Sequence, residues 1–244
     1  MSEGFRTPWW LLPLEGRALA EYSTAYLRRG HSGMERGDGH RVIVIPGFLA
    51  DDFAVRPLVQ ALIRTGYRAQ SWGLGRNTGM TRERGSQLQS LVDAGCTEDD
   101  DTLSLIGWSL GGIFARELAR RMPDSIRQVI TLGSPIQDSA HLTIAPLYRL
   151  FRPGSGSTVD PQQQARLAEP PPVPCSAIYT RSDGIVPWEA SLEPERPHTR
   201  NIEVRGSHFG LPANVDVWRE CARLLAHPKA RPKATTAGRK RTTR

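Results

Sequence analysis

Ser109 lies in the pentapeptide GWSLG at positions 107–111, between an apolar run typical of a buried strand and an amphipathic pattern typical of a helix. In this context the pattern G-x-S-x-G predicts a sharp turn from strand to helix, in which the glycines allow two backbones to approach closely. Such a turn presents the hydroxyl at the helix N-terminus, where the helix dipole and unpaired N–H groups favour negative charge. We therefore predict that Ser109 is a nucleophile. The alternative is a glycine-rich turn that contains a serine by chance.

A serine hydroxyl is a weak nucleophile unless a base takes its proton, and the base needs an acid that orients it. Asp183 and His208 each follow a later strand-like run, in the chain order serine, aspartate, histidine that accompanies this kind of turn. Ligands of open α/β sheets bind beyond such strand ends. We predict that His208 is the base and Asp183 its orienting acid. His141 is an alternative base, and Asp138 or Glu203 is an alternative acid.

Attack on a carbonyl group places negative charge on its oxygen, which backbone N–H groups can stabilise. One such donor is expected from Leu110, the residue after the serine. The second is expected from the loop after the first strand-like run, RVIVIPGFLADD, where Gly47 lets the backbone come close. Phe48 is the predicted donor and Leu49 the fallback. The alternative for this loop is a simple Pro-Gly turn that ends a strand.

Six short runs rich in β-branched residues alternate with helical patterns along the chain. The runs are RVIVIP, YRAQSW, TLSLIG, IRQVITLG, CSAIYT and TRNIEV. Parallel strands joined by helices require right-handed crossovers, which place helices on both faces of the sheet. The pattern therefore predicts an α/β fold with a doubly wound, mostly parallel sheet of about six strands. The predicted helices span residues 15–29, 55–65, 82–94, 110–122 and 215–226.

Four segments are predicted from these patterns. Residues 1–40 form an N-terminal helix and connector, 41–226 form the main domain, and 227–244 form a basic disordered tail. Within the main domain, residues 134–174 show little periodicity and contain the apolar stretch HLTIAPLYRLF. A segment of this length inside a compact domain is usually functional, so we predict a cap or lid over an apolar acyl pocket. The alternative is a packed crossover connection.

The formal net charge of +7 belongs to the tail. Residues 227–244 contain seven Lys or Arg residues and no acid, so residues 1–226 are formally neutral. A tail without apolar periodicity cannot offset its ordering entropy by burial. Its cations predict at most weak contact with an anionic membrane surface, and no specific binding to nucleic acid is expected.

Several functional classes are not supported by the residues. Three scattered cysteines predict free thiols, with neither a disulfide framework nor a metal site. The segment WGLGRNTG has a G-x-G core, but its third glycine is misplaced, no suitable helix starts there, and no acidic residue ends a suitable second strand, so no cofactor is predicted. That loop is instead expected to border the pocket through Arg76 or Asn77. With no apparent membrane span or signal peptide, the expected location is the cytoplasm.

With these motifs the chain resembles the α/β-hydrolase serine hydrolases of the small bacterial esterase and lipase type, over roughly residues 40–226. The resemblance is carried by GWSLGG, SDGIVP and GSHFGL in this order. It implies a triad of Ser109, Asp183 and His208, an acyl-enzyme intermediate, no cofactor, and a small-molecule or lipid acyl ester as substrate. The chain departs from many members in having Pro-Gly where they have His-Gly, and in lacking the usual first antiparallel hairpin. A thioesterase or acyltransferase would use the same triad, and a non-catalytic binding protein could share the fold.

Overall fold

A parallel six-stranded sheet forms the centre of the molecule, in a computed structural model that describes residues 5–27, 33–96, 102–137 and 161–232. All five strand pairings are parallel, and the strand order is β2-β1-β3-β4-β5-β6. The strands are β1 Arg41–Ile45, β2 Arg68–Ser71, β3 Leu103–Trp108, β4 Ile126–Leu132, β5 Cys175–Tyr179 and β6 Thr199–Glu203. Every strand coincides with one of the six runs identified in the sequence, and the predicted parallel sheet is confirmed.

The central strands are buried on both faces, which is why their sequences read as continuous apolar runs rather than alternating ones. Along β1, Val42 and Val44 pack into one core, whereas Ile43 and Ile45 pack into another on the opposite face. This two-residue alternation follows from the pleat of a strand, which directs successive side chains to opposite faces. The sheet therefore separates two hydrophobic cores.

Helices cover both cores, as the sequence pattern predicts. The helices are α1 Ala18–Leu27, α2 Asp52–Arg64, α3 Arg82–Gly95, α4 Leu110–Arg121, α5 Pro161–Ala168 and α6 Val215–Ala226. Apolar side chains of α1, α2 and α6 pack on one face of the sheet, and those of α3 and α4 pack on the other. Among the described helices, none has the length and apolar content that crossing a membrane requires.

The strand order changes direction between β1 and β3, and this point defines where a ligand can bind. From β1 the chain first adds β2 on one side and then returns to place β3 on the other. The connections after β1 and β3 therefore leave the sheet towards opposite faces, which opens a crevice between their carboxyl ends. The segment 46–48 follows β1, and Ser109 follows β3, so both predicted halves of the site border this crevice.

The N-terminal helical segment begins earlier than the sequence pattern predicts. Trp9–Arg17 forms a 3-10 helix that continues directly into α1, whereas the prediction began at residue 15. Pro13 lies inside the 3-10 helix, and its missing N–H made this stretch unlike a helix in sequence. Tight turns of this kind tolerate a proline when tertiary contacts hold them in place.

Two predicted segments are described only in part. The central residues of the predicted cap, 138–160, lie outside the described residues. Within the remainder, Pro161–Ala168 forms α5 and Val173 is fully buried, so this end of the segment is packed against the domain. Of the predicted tail, residues 227–232 are described, and Arg231 donates a hydrogen bond of 2.8 Å to the carbonyl of Pro123.

Candidate active site

The backbone at Ser109 is strained, in a way that presents the serine at the start of α4. Ser109 has φ of 54° and ψ of −121°, a region that a residue with a Cβ rarely adopts. Such a conformation costs about 1–3 kcal/mol and persists only where its surroundings enforce it. Here the N–H of Ser109 donates to the carbonyl of Leu132 at 2.8 Å. The Ser109 side chain makes no capping bond to the helix, so the hydroxyl is not engaged in holding α4.

Close contacts explain why the two flanking positions are glycines. A Cβ atom at Gly107 would lie 2.4 Å from the carbonyl carbon of Gly111. A Cβ atom at Gly111 would lie 2.3 Å from the carbonyl oxygen of Ile45, on the neighbouring strand. Both separations are far below van der Waals contact, so any side chain at either position would push the helix away from the sheet. The G-x-S-x-G pattern therefore forms the tight strand-to-helix turn that the sequence predicts.

Asp183 and His208 form a buried hydrogen-bonded pair at the ends of β5 and β6. The His208 Nδ1 atom lies 2.7 Å from Asp183 Oδ2. The other carboxylate oxygen, Oδ1, accepts the backbone N–H groups of Ile185 at 2.8 Å and Val186 at 2.7 Å. The exposed fractions of Asp183 and His208 are 2% and 1%. The loop after β5 thus fixes one oxygen of the carboxylate and leaves the other for the imidazole.

The surroundings of His208 favour its protonated form. Burial lowers the pKa of His208, but the charge of Asp183 and its hydrogen bond raise it, with a further contribution from the charge of Glu15. The opposing effects leave the pKa of His208 above its ordinary value. A base with a raised pKa accepts a proton more readily, which is the requirement for activating a hydroxyl group.

Trp108 connects the serine turn to the histidine loop. Its Nε1–H donates a hydrogen bond of 3.1 Å to the carbonyl of His208, and the two rings are 5.9 Å apart between centroids. Within the described part of the chain, no direct hydrogen bond joins Ser109 and His208. Catalytic hydrogen bonds are often long or poorly aligned in ligand-free structures, so the absence of this bond does not exclude the two residues from acting together.

The structure also locates the other candidates for the acid and the base. Glu203, at the end of β6, is exposed and accepts a hydrogen bond of 3.0 Å from the Arg181 Nε atom instead of contacting His208. Asp138 and His141 lie outside the described residues. Among the candidates that the structure describes, Asp183 and His208 are thus the pair that it brings together.

The loop after β1 runs directly beside Ser109. A Cβ atom at Gly47 would lie 3.3 Å from the Ser109 Cβ and 3.2 Å from the Trp108 ring, so a side chain here would require both neighbours to shift slightly. The fallback donor Leu49 is already engaged, because its N–H donates to the carbonyl of Asn77 at 2.7 Å. Leu110 is the first residue of α4, and its N–H therefore has no acceptor within the helix.

Asn77 holds this loop in place. Its side chain is fully buried, and its Nδ2 atom donates to the carbonyl of Pro46 at 2.8 Å. Its backbone exchanges two further hydrogen bonds with the loop, at Leu49 and at Ala50. The sequence indicated only that Arg76 or Asn77 borders the pocket, and the structure assigns Asn77 a structural role behind the loop.

Comparisons with known proteins concern the fold of the chain and one short stretch of its sequence. No family model matches the chain. A pimeloyl-[acyl-carrier protein] methyl ester esterase of Aromatoleum aromaticum is 39% identical over 56 residues, which is 23% of this chain and 22% of that protein. The chain therefore matches only about a fifth of that relative's length.

Solved structures resemble the chain over most of its length. A monoacylglycerol lipase of Paleococcus ferrophilus has a TM-score of 0.55 at 16% identity, covering 79% of this chain and 96% of that one. The thioesterase domain from the curacin biosynthetic pathway has a TM-score of 0.53 at 16% identity, covering 79% and 93%. An alpha/beta hydrolase from a sediment metagenome of the Mar Chica lagoon, Morocco, has a TM-score of 0.53 at 15% identity, covering 79% and 91%. The chain has the α/β-hydrolase fold.

Glu15 is a polar residue of this candidate site that the sequence did not indicate. Glu15 belongs to the N-terminal 3-10 helix, yet its carboxylate is buried against the loops that carry Asp183 and His208. The signal in the sequence was a single acid after the apolar run WWLLPL, a position that a surface helix would also tolerate. Its role follows from contacts across the fold, which no local pattern encodes.

The described residues offer no site for a metal ion. Among them, no group of three or more His, Cys, Asp or Glu side chains is arranged to hold one. Cys175 and Cys221 are buried, Cys96 is half-buried, and all three are free thiols as predicted. Burial raises the pKa of the Cys175 and Cys221 thiols, so neither is prepared to act as a thiolate.

Proposed function

We propose that this α/β-hydrolase-fold protein is a serine hydrolase that cleaves carboxylic esters through an acyl-enzyme intermediate. The observation that carries the proposal is the buried Asp183–His208 pair, which the Trp108 Nε1–H ties to the turn of the strained Ser109 by its bond to the His208 carbonyl. Ser109 and Leu49, which lies in the loop after β1, are the two described non-glycine residues with positive φ, at 54° and 60°, and such strain clusters at active sites. Ser109 is the proposed nucleophile, His208 the base and Asp183 the acid that orients it.

In the first half of the proposed reaction, the Ser109 Oγ atom attacks the ester carbonyl carbon while His208 Nε2 takes the hydroxyl proton. The carbonyl π electrons move to oxygen and form a tetrahedral oxyanion. Asp183 holds Nδ1–H by a 2.7 Å bond, which leaves Nε2 as the proton acceptor. Collapse of the intermediate breaks the bond to the alcohol, which leaves with the proton from His208.

In the second half, water attacks the acyl-serine and gives one proton to His208. The resulting tetrahedral intermediate collapses by breaking the bond between the acyl carbon and Ser109 Oγ, which takes the proton from His208, and the carboxylic acid is released. In both halves the oxyanion would accept hydrogen bonds from the N–H groups of Phe48 and Leu110. The proposal for Phe48 is supported by the close approach of its neighbour Gly47 to Ser109, where a Cβ atom on Gly47 would lie 3.3 Å from the Ser109 Cβ, and that for Leu110 by its position at the start of α4.

The proposed substrate is a small-molecule or lipid acyl ester. Two similar proteins, an esterase of a methyl ester and a monoacylglycerol lipase, have names that describe ester cleavage. A second candidate is thioester cleavage, since a thioesterase domain shares the fold and the same serine chemistry would serve a thiol leaving group. Matched oxygen and sulfur esters of one acyl chain, compared by kcat/KM, separate the two.

Substitution of the proposed nucleophile tests the reaction. We expect Ser109→Ala to abolish turnover of a soluble p-nitrophenyl ester while the protein stays folded, because only a hydroxyl group is removed. Ser104→Ala is the matched control, since Ser104 is also buried on β3 and its hydroxyl pairs with His40 instead. Thermal unfolding of all three proteins checks that folding is retained.

Covalent labelling locates the nucleophile independently of the substrate chosen. A fluorophosphonate should label wild type and the Ser104→Ala control but not Ser109→Ala, and the modified peptide should contain Ser109. An adduct on another residue, or more than a few per cent of wild-type turnover in Ser109→Ala, would exclude Ser109 as nucleophile.

A further inference from the structure

The carboxylate of Glu15 accepts three backbone hydrogen bonds from two loops of the proposed active site. Oε1 accepts the N–H of Gly184 at 2.8 Å and the N–H of His208 at 3.0 Å. Oε2 accepts the N–H of Phe209 at 2.9 Å. The residue is 6% exposed, so these bonds are sheltered from water. Charge-assisted bonds of this kind are stronger than neutral ones.

The two loops are those that carry the proposed acid and the proposed base. Gly184 directly follows Asp183 after β5, and the other two donors are His208 itself and the next residue after β6. One side chain therefore bridges the backbones of both partners in the 2.7 Å Asp183–His208 bond. The partners are separated by 25 residues along the chain, and Glu15 is 193 residues from His208.

The N-terminal 3-10 helix is packed tightly enough to hold this bridge. A Cβ atom at Gly184 would lie 2.7 Å from the carbonyl oxygen of Leu11 and 3.0 Å from the Glu15 Cγ atom. Arg17, on the same helix, donates hydrogen bonds to Ser182 Oγ and to the carbonyl of Gly206, each at 3.1 Å. Residues before and after Glu15 in this segment, Leu11 and Arg17, therefore also approach the loops that carry Asp183 and His208.

From this geometry we infer that Glu15 is a positioning residue, which holds the loops of Asp183 and His208 in register so that the imidazole faces the serine turn. The inference rests on the function proposed above. It assigns the N-terminal segment a part in the reaction, although this segment precedes the first strand of the sheet. Glu15 acts through the backbone and through its charge and does not touch the reacting atoms.

A carboxylate suits this role better than any neutral side chain of the same shape. It offers acceptor positions on both oxygens, whereas the amide of a glutamine has one acceptor oxygen and directs N–H groups from the other end. In Glu15→Gln, the amide nitrogen would face at least one of the three backbone donors. That donor would lose its partner in a buried site, and the loop would have to shift.

The charge of Glu15 gives the inference a second readout. Four charged groups approach His208 from the elements packed around it: Asp183 by direct contact, Glu15 through the backbone, Glu21 through Ser207 and Arg17 through the carbonyl of Gly206. The negative charge of Glu15 contributes to the raised pKa of His208. Removing that charge favours the neutral imidazole, so the pKa of His208 should fall.

The experiment compares Glu15→Gln, Glu15→Asp and Glu21→Gln with wild type. Glu21 is the matched control, because its carboxylate accepts the N–H and the hydroxyl of Ser207 in the same loop but touches neither partner of the pair. For each protein, kcat and KM for a soluble p-nitrophenyl ester are measured from about pH 5 to about pH 9, where histidine titrates. Thermal unfolding and the rate of fluorophosphonate labelling are measured in parallel.

For Glu15→Gln we expect kcat to fall by about 10- to 100-fold with little change in KM, because small displacements of catalytic groups have effects of this size. The acid limb of kcat/KM should move to lower pH, because the negative charge of Glu15 helps to raise the pKa of His208. Glu15→Asp keeps the charge but shortens the side chain, so it should lower kcat with the acid limb nearly unmoved. Glu21→Gln should reduce thermal stability without moving the acid limb.

Three results would overturn the inference. The first is a folded Glu15→Gln protein with wild-type kcat and an unmoved acid limb. The second is an equal shift of the acid limb in Glu21→Gln. The third applies if Glu15→Gln does not fold: wild-type kcat in Glu15→Asp would then show that Glu15 serves stability alone. A lowered kcat in Glu15→Asp would instead support the positioning role. Absence of turnover and of labelling in wild type would instead refute the proposed function itself.

Discussion

Replacing Asp183 by asparagine is the sharpest test of the proposed acid–base pair, because the structure dictates how the amide must sit. Oδ1 accepts two backbone N–H groups, from Ile185 and Val186, and an amide N–H₂ group cannot take that place without facing two donors. The asparagine oxygen will therefore keep the Oδ1 position. Its Nδ2 group is then directed at His208 Nδ1, where the carboxylate oxygen lies at 2.7 Å in wild type.

This arrangement should trap the imidazole in the wrong tautomer. A donor facing Nδ1 requires Nδ1 to accept, so the ring proton moves to Nε2 and that nitrogen can no longer take the Ser109 proton. The negative charge that stabilises the imidazolium is also lost, in a site where both side chains are at most 2% exposed and screening by water is weak. We expect kcat to fall by about 10³- to 10⁴-fold, which corresponds to about 4–5.5 kcal/mol in the activation barrier.

The assay is steady-state hydrolysis of a soluble p-nitrophenyl ester, with thermal unfolding to show that the variant stays folded. Glu203→Gln is the matched control, since Glu203 is an exposed acid at the end of β6 that pairs with Arg181. This variant should keep nearly the kcat of wild type. If Asp183→Asn keeps more than about a tenth of wild-type kcat, Asp183 does not control the tautomer of His208 as proposed. A large loss in Glu203→Gln would identify a different orienting acid.

Two further predictions concern the histidine and the loop beside the serine. Because the pKa of His208 is raised above 6.5 and the neutral imidazole is the active base, kcat/KM should increase with pH through a midpoint above 6.5. A pH–rate profile with its midpoint at or below 6.5 would contradict the described surroundings of His208. Asn77→Ala removes the buried bond to the Pro46 carbonyl, so it should destabilise the protein by about 1–3 kcal/mol and lower kcat and the labelling rate together. Unchanged kcat in this variant would show that the position of the loop at Phe48 does not affect catalysis.

The strands and most helices could be predicted because their signals are local. Buried parallel strands need continuous apolar runs, and each of the six runs became a strand whose bounds differ from the run by at most one residue at either end. The helix after β1 starts at Asp52, earlier than predicted, because Asp51 caps it by accepting the N–H of Phe53. Sequence periodicity does not register such a cap when the first helical turn carries few core residues.

The serine turn was also a local feature. Its glycines and its position between strand and helix identified Ser109, and the strand-end positions of Asp183 and His208 followed from the strand pattern. The sequence left alternatives open, including Glu203 as the orienting acid and Leu49 as the donor to the oxyanion. Tertiary contacts argue against both alternatives, since Glu203 pairs with Arg181 on the surface and the Leu49 N–H donates to the carbonyl of Asn77.

The sequence alone therefore determined the fold class, the strand positions and the likeness of the serine turn to a nucleophile site, since each depends on residues close together in the chain. Only the tertiary structure showed that Glu15 joins the loops of Asp183 and His208, and that Asn77 supports the loop beside Ser109. Hydrogen bonds between such distant segments depend on how helices and loops pack on the sheet. A single buried carboxylate or amide has no periodicity, and its partners are backbone groups that every residue but proline supplies alike.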